Sequence, residues 1–264
     1  MFPKIAVAAL ILCTSSLFAQ SPTPRPTFDA FEVATIKPVD PEEKAGRYII
    51  MQGTNRFVVK YYTLKLLIAA AYDLTPQAIS GGPAWLNSDH YDILAKTPGE
   101  VLPSRPEQMA MLRTLLADRF KLTFHREQKE FSIFTLNVAK GGPKLKSSTA
   151  PADDPAKLIS TVYPQHILLP AHNATMGEFA SLMQRAILDR PVVDKTGLTG
   201  KYDFDLEWAP DNSQFGGEVA AAPADAPSAP FFTAIQQQLG LKLEATKGPI
   251  AVLVVDKVER PSAD

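Results

Sequence analysis

The sequence has little cysteine and no excess of charge of either sign. Its single cysteine in 264 residues excludes an intramolecular disulfide, so stability must come from a hydrophobic core. Lys and Arg number 27 and Asp and Glu number 28, which argues against binding to a nucleic-acid backbone. Apolar residues make up 45% of the chain and charged residues 21%. This ordinary globular composition excludes a disordered chain, a coiled coil and a multi-span membrane protein.

The N-terminal residues predict a secretory signal peptide at residues 1–19. A cationic start and a short apolar run precede Ala19, which suits a cleavage site. The apolar run is too short for a stable membrane span, although an uncleaved anchor is the alternative. Cys13 lies within this peptide, and Leu12 before it is too large for a lipoprotein signal. We expect a cysteine-free mature protein in the periplasm or outside the cell, without a membrane span.

Two segments of the chain repeat the same order of patterns, which predicts an internal duplication. Each segment has a β-rich stretch, an amphipathic helix, a short apolar element, a glycine-containing turn and a strand that begins with Tyr-Asp. The helices are predicted at residues 63–72 and 175–187, and the Tyr-Asp pairs lie at 91–92 and 202–203. A second helix and two strands are expected after each Tyr-Asp strand. These strands are predicted at residues 120–124, 131–139, 241–243 and 250–258.

We predict an α+β fold of two related halves, each a small, mostly antiparallel sheet with two helices on one face. A proline-rich leader at residues 20–27 precedes the first half. The first half spans residues 28–147, and a linker at 148–157 joins it to the second half at 158–260. A stretch at about residues 209–229, rich in Ala and Pro, is predicted to be a flexible insertion on a loop.

The sequence contains no complete catalytic motif. Lys195-Thr196-Gly197 matches one element of penicillin-recognising enzymes, but no serine has a lysine three residues later. Serine-hydrolase, zinc-protease and phosphate-binding glycine motifs are also missing. We therefore predict no catalytic residue, no metal ligand and no cofactor.

Several polar groups are weaker candidates for chemistry. His166 and His172 could face the same way, but a metal site would need a third ligand. His125 and Glu127, predicted at a hairpin end, could serve acid–base chemistry, although a solvated turn is the better explanation. The alternate acids of one strand could bind a cation or a basic partner, or simply face solvent: Asp203, Asp205 and Glu207.

Four aromatic residues are the candidate binding residues: Trp85, Tyr91, Tyr202 and Trp208. Trp85 follows Gly81-Gly82-Pro83, and Trp208 closes a strand in which apolar and acidic residues alternate. Either tryptophan could stack on a sugar or a peptide. Burial in a core is the alternative, because aromatic residues dominate cores.

Five stretches of sequence together carry a family resemblance. They are residues 31–38, 81–85 with 91–93, 115–122, 191–198 and 200–204. Together they resemble the soil-associated family of secreted proteins of unknown function that is expanded in acidobacteria. The resemblance covers about residues 28–260, and since the family has no established activity, it implies no catalytic residues. Related domains look to be attached to membrane-bound sensors of the antibiotic-responsive metallopeptidase type, which implies a binding module outside the membrane.

These observations favour a non-enzymatic module that binds a small ligand or an envelope protein, acts in envelope sensing and has a groove between its halves. The alternative is a cell-envelope hydrolase that acts on glycan, peptide or ester. Its working groups would be His125 and Glu127 or the alternate acids of the second half. A structural envelope protein is the third hypothesis, and nucleic acid is excluded as a partner.

Overall fold

The protein is a mixed α+β structure with mainly antiparallel sheets. The computed structural model describes residues 25–40, 46–151, 154–217 and 219–262. The predicted signal peptide and the first part of the predicted leader lie outside these residues. No helix within the described ranges is both long and apolar enough to cross a membrane.

The first sheet and two helices enclose one core. Its described strands are, in spatial order, β1 (Val33–Val39), β5 (His90–Lys96), β3 (Arg56–Thr63) and β2 (Tyr48–Gln52). All neighbouring strands pair antiparallel. Their buried side chains join those of α1 (Leu64–Tyr72) and α2 (Arg105–Arg119) in a single apolar cluster. Helix α1 lies where its apolar spacing predicts it.

The second sheet also packs against helical segments. Its described strands are β7 (Lys146–Ser147), β12 (Tyr202–Trp208), β10 (Ile167–Ala174) and β8 (Lys157–Leu158), with β9 (Thr161–Val162) also beside β10. Helix α3 (Met176–Leu182) continues into a π turn, Met183–Ile187. Helix α4 (Phe231–Ala234) continues into another, Ile235–Leu239. Both segments bury apolar residues in the second core.

The third sheet exchanges strands between the two halves. Its central strands, β6 (Thr123–Val138) and β13 (Leu241–Lys257), pair antiparallel along nearly their whole length. The short strand β4 (Ile79–Gly81) of the first half lies parallel to β13, and β11 (Val192–Asp194) of the second half lies parallel to β6. Each half therefore adds its short strand to the long strand of the other half.

Each core takes side chains from both halves because of this exchange. Leu253 and Val255 of β13 belong to the first core, and Phe134 and Leu136 of β6 belong to the second. Gly81 permits the close approach of β4, since it has φ +76° and an added Cβ would lie 2.7 Å from the Val255 carbonyl oxygen. The linker separates the two halves in sequence, but each core contains residues from both sides of it.

The two halves carry the same bulge beside their Tyr-Asp strands. Tyr61 and Asn173 both have left-handed backbones, with φ +55° and +53°, at the register shifts of β3 and β10. The backbone N–H of Tyr61 donates to Asp92 at 3.0 Å, and that of Asn173 donates to Asp203 at 2.8 Å. The recurring Tyr-Asp pair thus supplies the carboxylate that caps each bulge.

Two details differ from the sequence predictions. The prediction of two strands after each second helix is wrong, because β6 and β13 are each continuous. His125 therefore lies within a strand rather than at a hairpin end. The segment at 209–229 is attached to the second core near its start. Gln214 is fully buried there, and its Oε1 accepts a 2.8 Å hydrogen bond from Trp208 Nε1. Its flexibility stays a prediction.

Candidate functional site

The four predicted binding aromatics do not meet in one groove. Tyr91 is 2% exposed and packs edge-on against Phe120 in the first core, with ring centroids 5.2 Å apart. Trp208 is fully buried in the second core. Because a ligand needs exposed surface to contact, these two side chains act in packing. Trp85 and Tyr202 are half-buried, but they flank different cores.

His125 is exposed near the start of β6 and is held between two carboxylates. Its Nδ1 lies 2.7 Å from Asp256 Oδ1, and its Nε2 lies 3.3 Å from Glu127 Oε1. The hydrogen bond to Asp256, followed by that to Glu127, raises the pKa of His125. Both ring nitrogens are thus engaged with acids, and this arrangement lends no support to a role as a general base.

We expect His125→Asn to lower the free energy of unfolding more in acid than in alkaline solution. The folded pKa of His125 is above its unfolded value, so its stabilisation is complete below the unfolded pKa and disappears as pH rises through the folded pKa. Urea unfolding at about pH 5 and about pH 9 measures this difference. The effect is small because the site is exposed. His166→Asn is the control, and a loss that grows with pH would contradict the expectation.

Two of the remaining polar candidates are hydrogen-bonded within the protein. Among the residues that the structure describes, no three His, Cys, Asp or Glu side chains are placed to hold a metal ion. Two of the alternate acids of β12 have partners within the protein. Asp203 accepts the backbone N–H of Asn173 at 2.8 Å, and Glu207 accepts the hydroxyl of Ser228 at 2.7 Å.

A cleft between the two halves has the composition of a small-molecule site. Its volume is about 490 Å³, within the range of ligand pockets. The end of α1 and the first turns of α2 form one wall, and α3 with β8 forms the other. The apolar lining comes from both halves: Ala70, Ala71, Tyr72, Met109, Ala156 and Leu158. We call this volume the interhalf cleft.

Asp73 connects the two walls of the interhalf cleft. It ends α1 with a left-handed backbone, and its carboxylate accepts the hydroxyl of Ser181 on α3 at 2.6 Å. Its carbonyl oxygen accepts Nε2 of Gln184 at 2.7 Å. The cleft therefore has walls that are hydrogen-bonded to each other across the two halves.

Two arginines, one from each half, lie together in this cleft. Arg105 is the first residue of α2, and Arg185 lies in the π turn that follows α3. Such turns often occur at functional sites, because they shift side chains relative to a regular helix. Both arginines also line a smaller adjoining cavity of about 220 Å³, with Arg47 and Tyr62. The Arg105–Arg185 pair thus lies between two cavities.

The positive charges of Arg105 and Arg185 are disfavoured by their surroundings. Burial lowers the pKa of Arg105. Burial, together with the positive charge of Arg105, lowers the pKa of Arg185 to about 10, which still leaves it charged at neutral pH. Nη1 of Arg185 is buried without a hydrogen-bond partner among the described residues. Asp73 opposes both shifts through its charge, but in the described parts of the chain it forms no ion pair with either arginine. The pair is therefore suited to an anion.

Sequence reasoning missed these two arginines because they lie far apart in the chain and match no motif. One local signal could have found Arg105. It occupies the first position of α2, where the helix dipole disfavours a positive charge. Such a position is unfavourable for an arginine, so it could have drawn attention to this residue.

Comparison with known proteins identifies a family without a described activity. Residues 65–258 match the family model described as Protein of unknown function (DUF3738). The matched region covers most of the chain and includes α2, α3 and the Arg105–Arg185 pair. Comparisons with curated proteins and with solved structures gave no match.

Proposed function

Since the chain belongs to the DUF3738 family of proteins of unknown function, we propose from its geometry that it is a non-enzymatic module that holds a small ligand in the interhalf cleft. One observation carries the proposal: walls from both halves face a single volume that is mainly apolar and contains half-buried arginines. Ligand sites have this composition, since apolar walls supply affinity and a few polar groups supply orientation.

We propose that the module acts outside the cytoplasm, after removal of residues 1–19, in envelope sensing. The signal-peptide pattern and the resemblance to secreted proteins support this location. Its ligand would be a small molecule, and an envelope protein would be the partner that receives the signal.

We further infer that the two halves arose by duplication of one α+β unit. Three features support this inference. The main strands and helices follow the same order in both halves. The backbone N–H groups of Tyr61 and Asn173 each donate to the aspartate of a Tyr-Asp pair, and the short strand of each half pairs with the long strand of the other. A cleft between such halves is formed from surfaces that a single unit would leave exposed.

Filling the interhalf cleft should weaken binding of a neutral apolar probe. Gly177 lines the cleft, and a Cβ added there would lie 3.9 Å from Thr175 Oγ1, its nearest neighbour. A Cβ at this position therefore fits without moving the backbone, and Gly177→Phe adds a ring at the lining of the cleft. We expect it to weaken the binding of N-phenyl-1-naphthylamine, followed by fluorescence, by about tenfold or more.

A matched glycine elsewhere provides the control for this experiment. Gly141 also has open space around its Cβ position, and it lines a separate cavity. Gly141→Phe should bind the dye as the wild type does. Circular dichroism establishes that both variants are folded. Undiminished dye binding by folded Gly177→Phe would refute the proposed function.

A further inference from the structure

We propose that the interhalf cleft binds an amphiphilic monocarboxylate, whose carboxylate is held by Arg105 and Arg185 and whose apolar body lies along the cleft wall. This inference rests on the proposed binding function of the cleft and adds the chemical class of the ligand. It also assigns roles to two residues that the fold alone does not explain.

The placement of the two arginines is the first argument. Each comes from a different half, and both line the interhalf cleft and the smaller cavity beside it. Guanidinium groups bind carboxylates through paired N–H donors in a fixed planar arrangement. Nη1 of Arg185 is such a donor, buried and without an acceptor in the described residues. A ligand carboxylate would supply that acceptor.

The charge balance favours a monoanion. The described lining of the cleft carries three arginines, Arg105, Arg113 and Arg185, and two acids, Asp73 and Glu178. One positive charge is left, which a single carboxylate neutralises. Glu178 is occupied by the cap of α3, where it accepts the backbone N–H and hydroxyl of Thr175, both at 2.9 Å. A dianion would leave a buried negative charge, which is costly.

The apolar wall indicates the rest of the ligand. Ala70, Ala71 and Met109 from the first half face Leu158 from the second. These side chains offer no hydrogen-bond donor and no acceptor stronger than the thioether of Met109, so they suit a hydrocarbon body. Burial of that body stabilises the complex in proportion to its apolar area. The cleft therefore matches a molecule with one charged end.

Displacement of N-phenyl-1-naphthylamine by ligands of equal chain length tests this assignment. The ligands are dodecanoate, dodecanol and dodecyl phosphate, all used below the concentrations at which they form micelles. We expect dodecanoate to displace the dye from the wild type about tenfold more effectively than dodecanol. In Arg105→Met and Arg185→Met that preference should disappear, through weaker dodecanoate binding with dodecanol binding unchanged.

Controls separate loss of charge from loss of fold. Arg56→Met removes an exposed arginine outside the interhalf cleft and should keep the preference for dodecanoate. Arg185→Lys keeps the charge and should keep part of the preference, because a lysine lacks the paired donors. Arg185→Gln replaces Arg185→Met if the methionine variant does not fold. Removal of an uncompensated buried charge should leave the melting temperature unchanged or higher.

The possible results distinguish this inference from the proposed function. If folded Arg105→Met and Arg185→Met bind dodecanoate as the wild type does, the carboxylate assignment is overturned. The binding function of the cleft still stands in that case if Gly177→Phe loses the dye. If dodecyl phosphate displaces the dye better than dodecanoate, the ligand is a phosphate ester and the monocarboxylate assignment is wrong. Failure of Gly177→Phe to weaken dye binding overturns both.

Discussion

Trp208→Ala is expected to lower the free energy of unfolding by about 3–5 kcal/mol. The side chain is fully buried in the second core and lies 5.0 Å from the ring of Phe231, centroid to centroid. Its removal leaves a cavity that the strands and helices around it cannot fill. It also leaves Oε1 of the fully buried Gln214 without its donor, at a further cost of about 1–3 kcal/mol. A loss of this size is a large share of the stability of a typical domain.

Trp85→Ala is the matched control for this experiment. Trp85 is half-buried at the edge of the first core, and the guanidinium carbon of Arg260 lies 4.8 Å above its ring. We expect its replacement to cost less than half as much, since partial burial and one cation–π contact are lost. Urea unfolding followed by circular dichroism compares the two variants. Equal losses of unfolding free energy in the two variants would contradict the packing role of Trp208. Weaker dye binding by folded Trp208→Ala would also contradict it.

Helix positions were predictable because their signals are local. The capping box of Thr175 and Glu178 and the apolar spacing behind it determine the start of α3. Ser104 and Glu107 do the same for α2. The alternation at 202–208 likewise predicts β12. Each of these patterns needs only residues that are adjacent in the chain.

The strand exchange was not predictable for two reasons. Its paired strands are distant in sequence, and the first part of β6 is polar. The side chains of β6 from His125 to Glu130 are exposed, so apolar alternation stops there. Hydrogen bonds to β13 continue through this stretch, with Glu127 opposite Val252 and Glu130 opposite Pro249. The periodicity of apolar residues indicates which side chains are buried and not which strands pair. It therefore predicts two short strands in place of one long strand.

The interhalf cleft was outside the reach of sequence reasoning for a related reason. A groove between the halves was expected, but aromatic residues were its expected lining. Tyr91 and Trp208 are instead core residues, because the alternating strands on which they lie turn those positions inward. The residues that face the cleft are instead small, aliphatic or charged, and Tyr72 is the one aromatic among the described lining residues. They meet only when α3 packs beside the end of α1, a contact made by Asp73 and Ser181.

The two halves should remain associated after the chain is cut between them. A protease site inserted between the exposed residues Thr149 and Ala150 allows this test. Because β6 and β13 pair along nearly their whole length, cleavage leaves their hydrogen bonds and both cores intact. We expect the fragments to elute together in size-exclusion chromatography and to bind the neutral dye. The uncleaved insertion protein is the control, and separation into two folded fragments would refute the exchange.

Neither half should fold when it is expressed alone. A first half without β13 lacks Leu253 and Val255 in its core, and its long strand β6 keeps one edge unpaired. An unpaired strand edge of this length promotes aggregation. The second half without β6 lacks Phe134 and Leu136 in the same way. We expect each fragment alone to give the circular dichroism of an unfolded chain and to bind no dye. Mixing during refolding should restore both signals, because the interhalf cleft and each core require residues from both fragments.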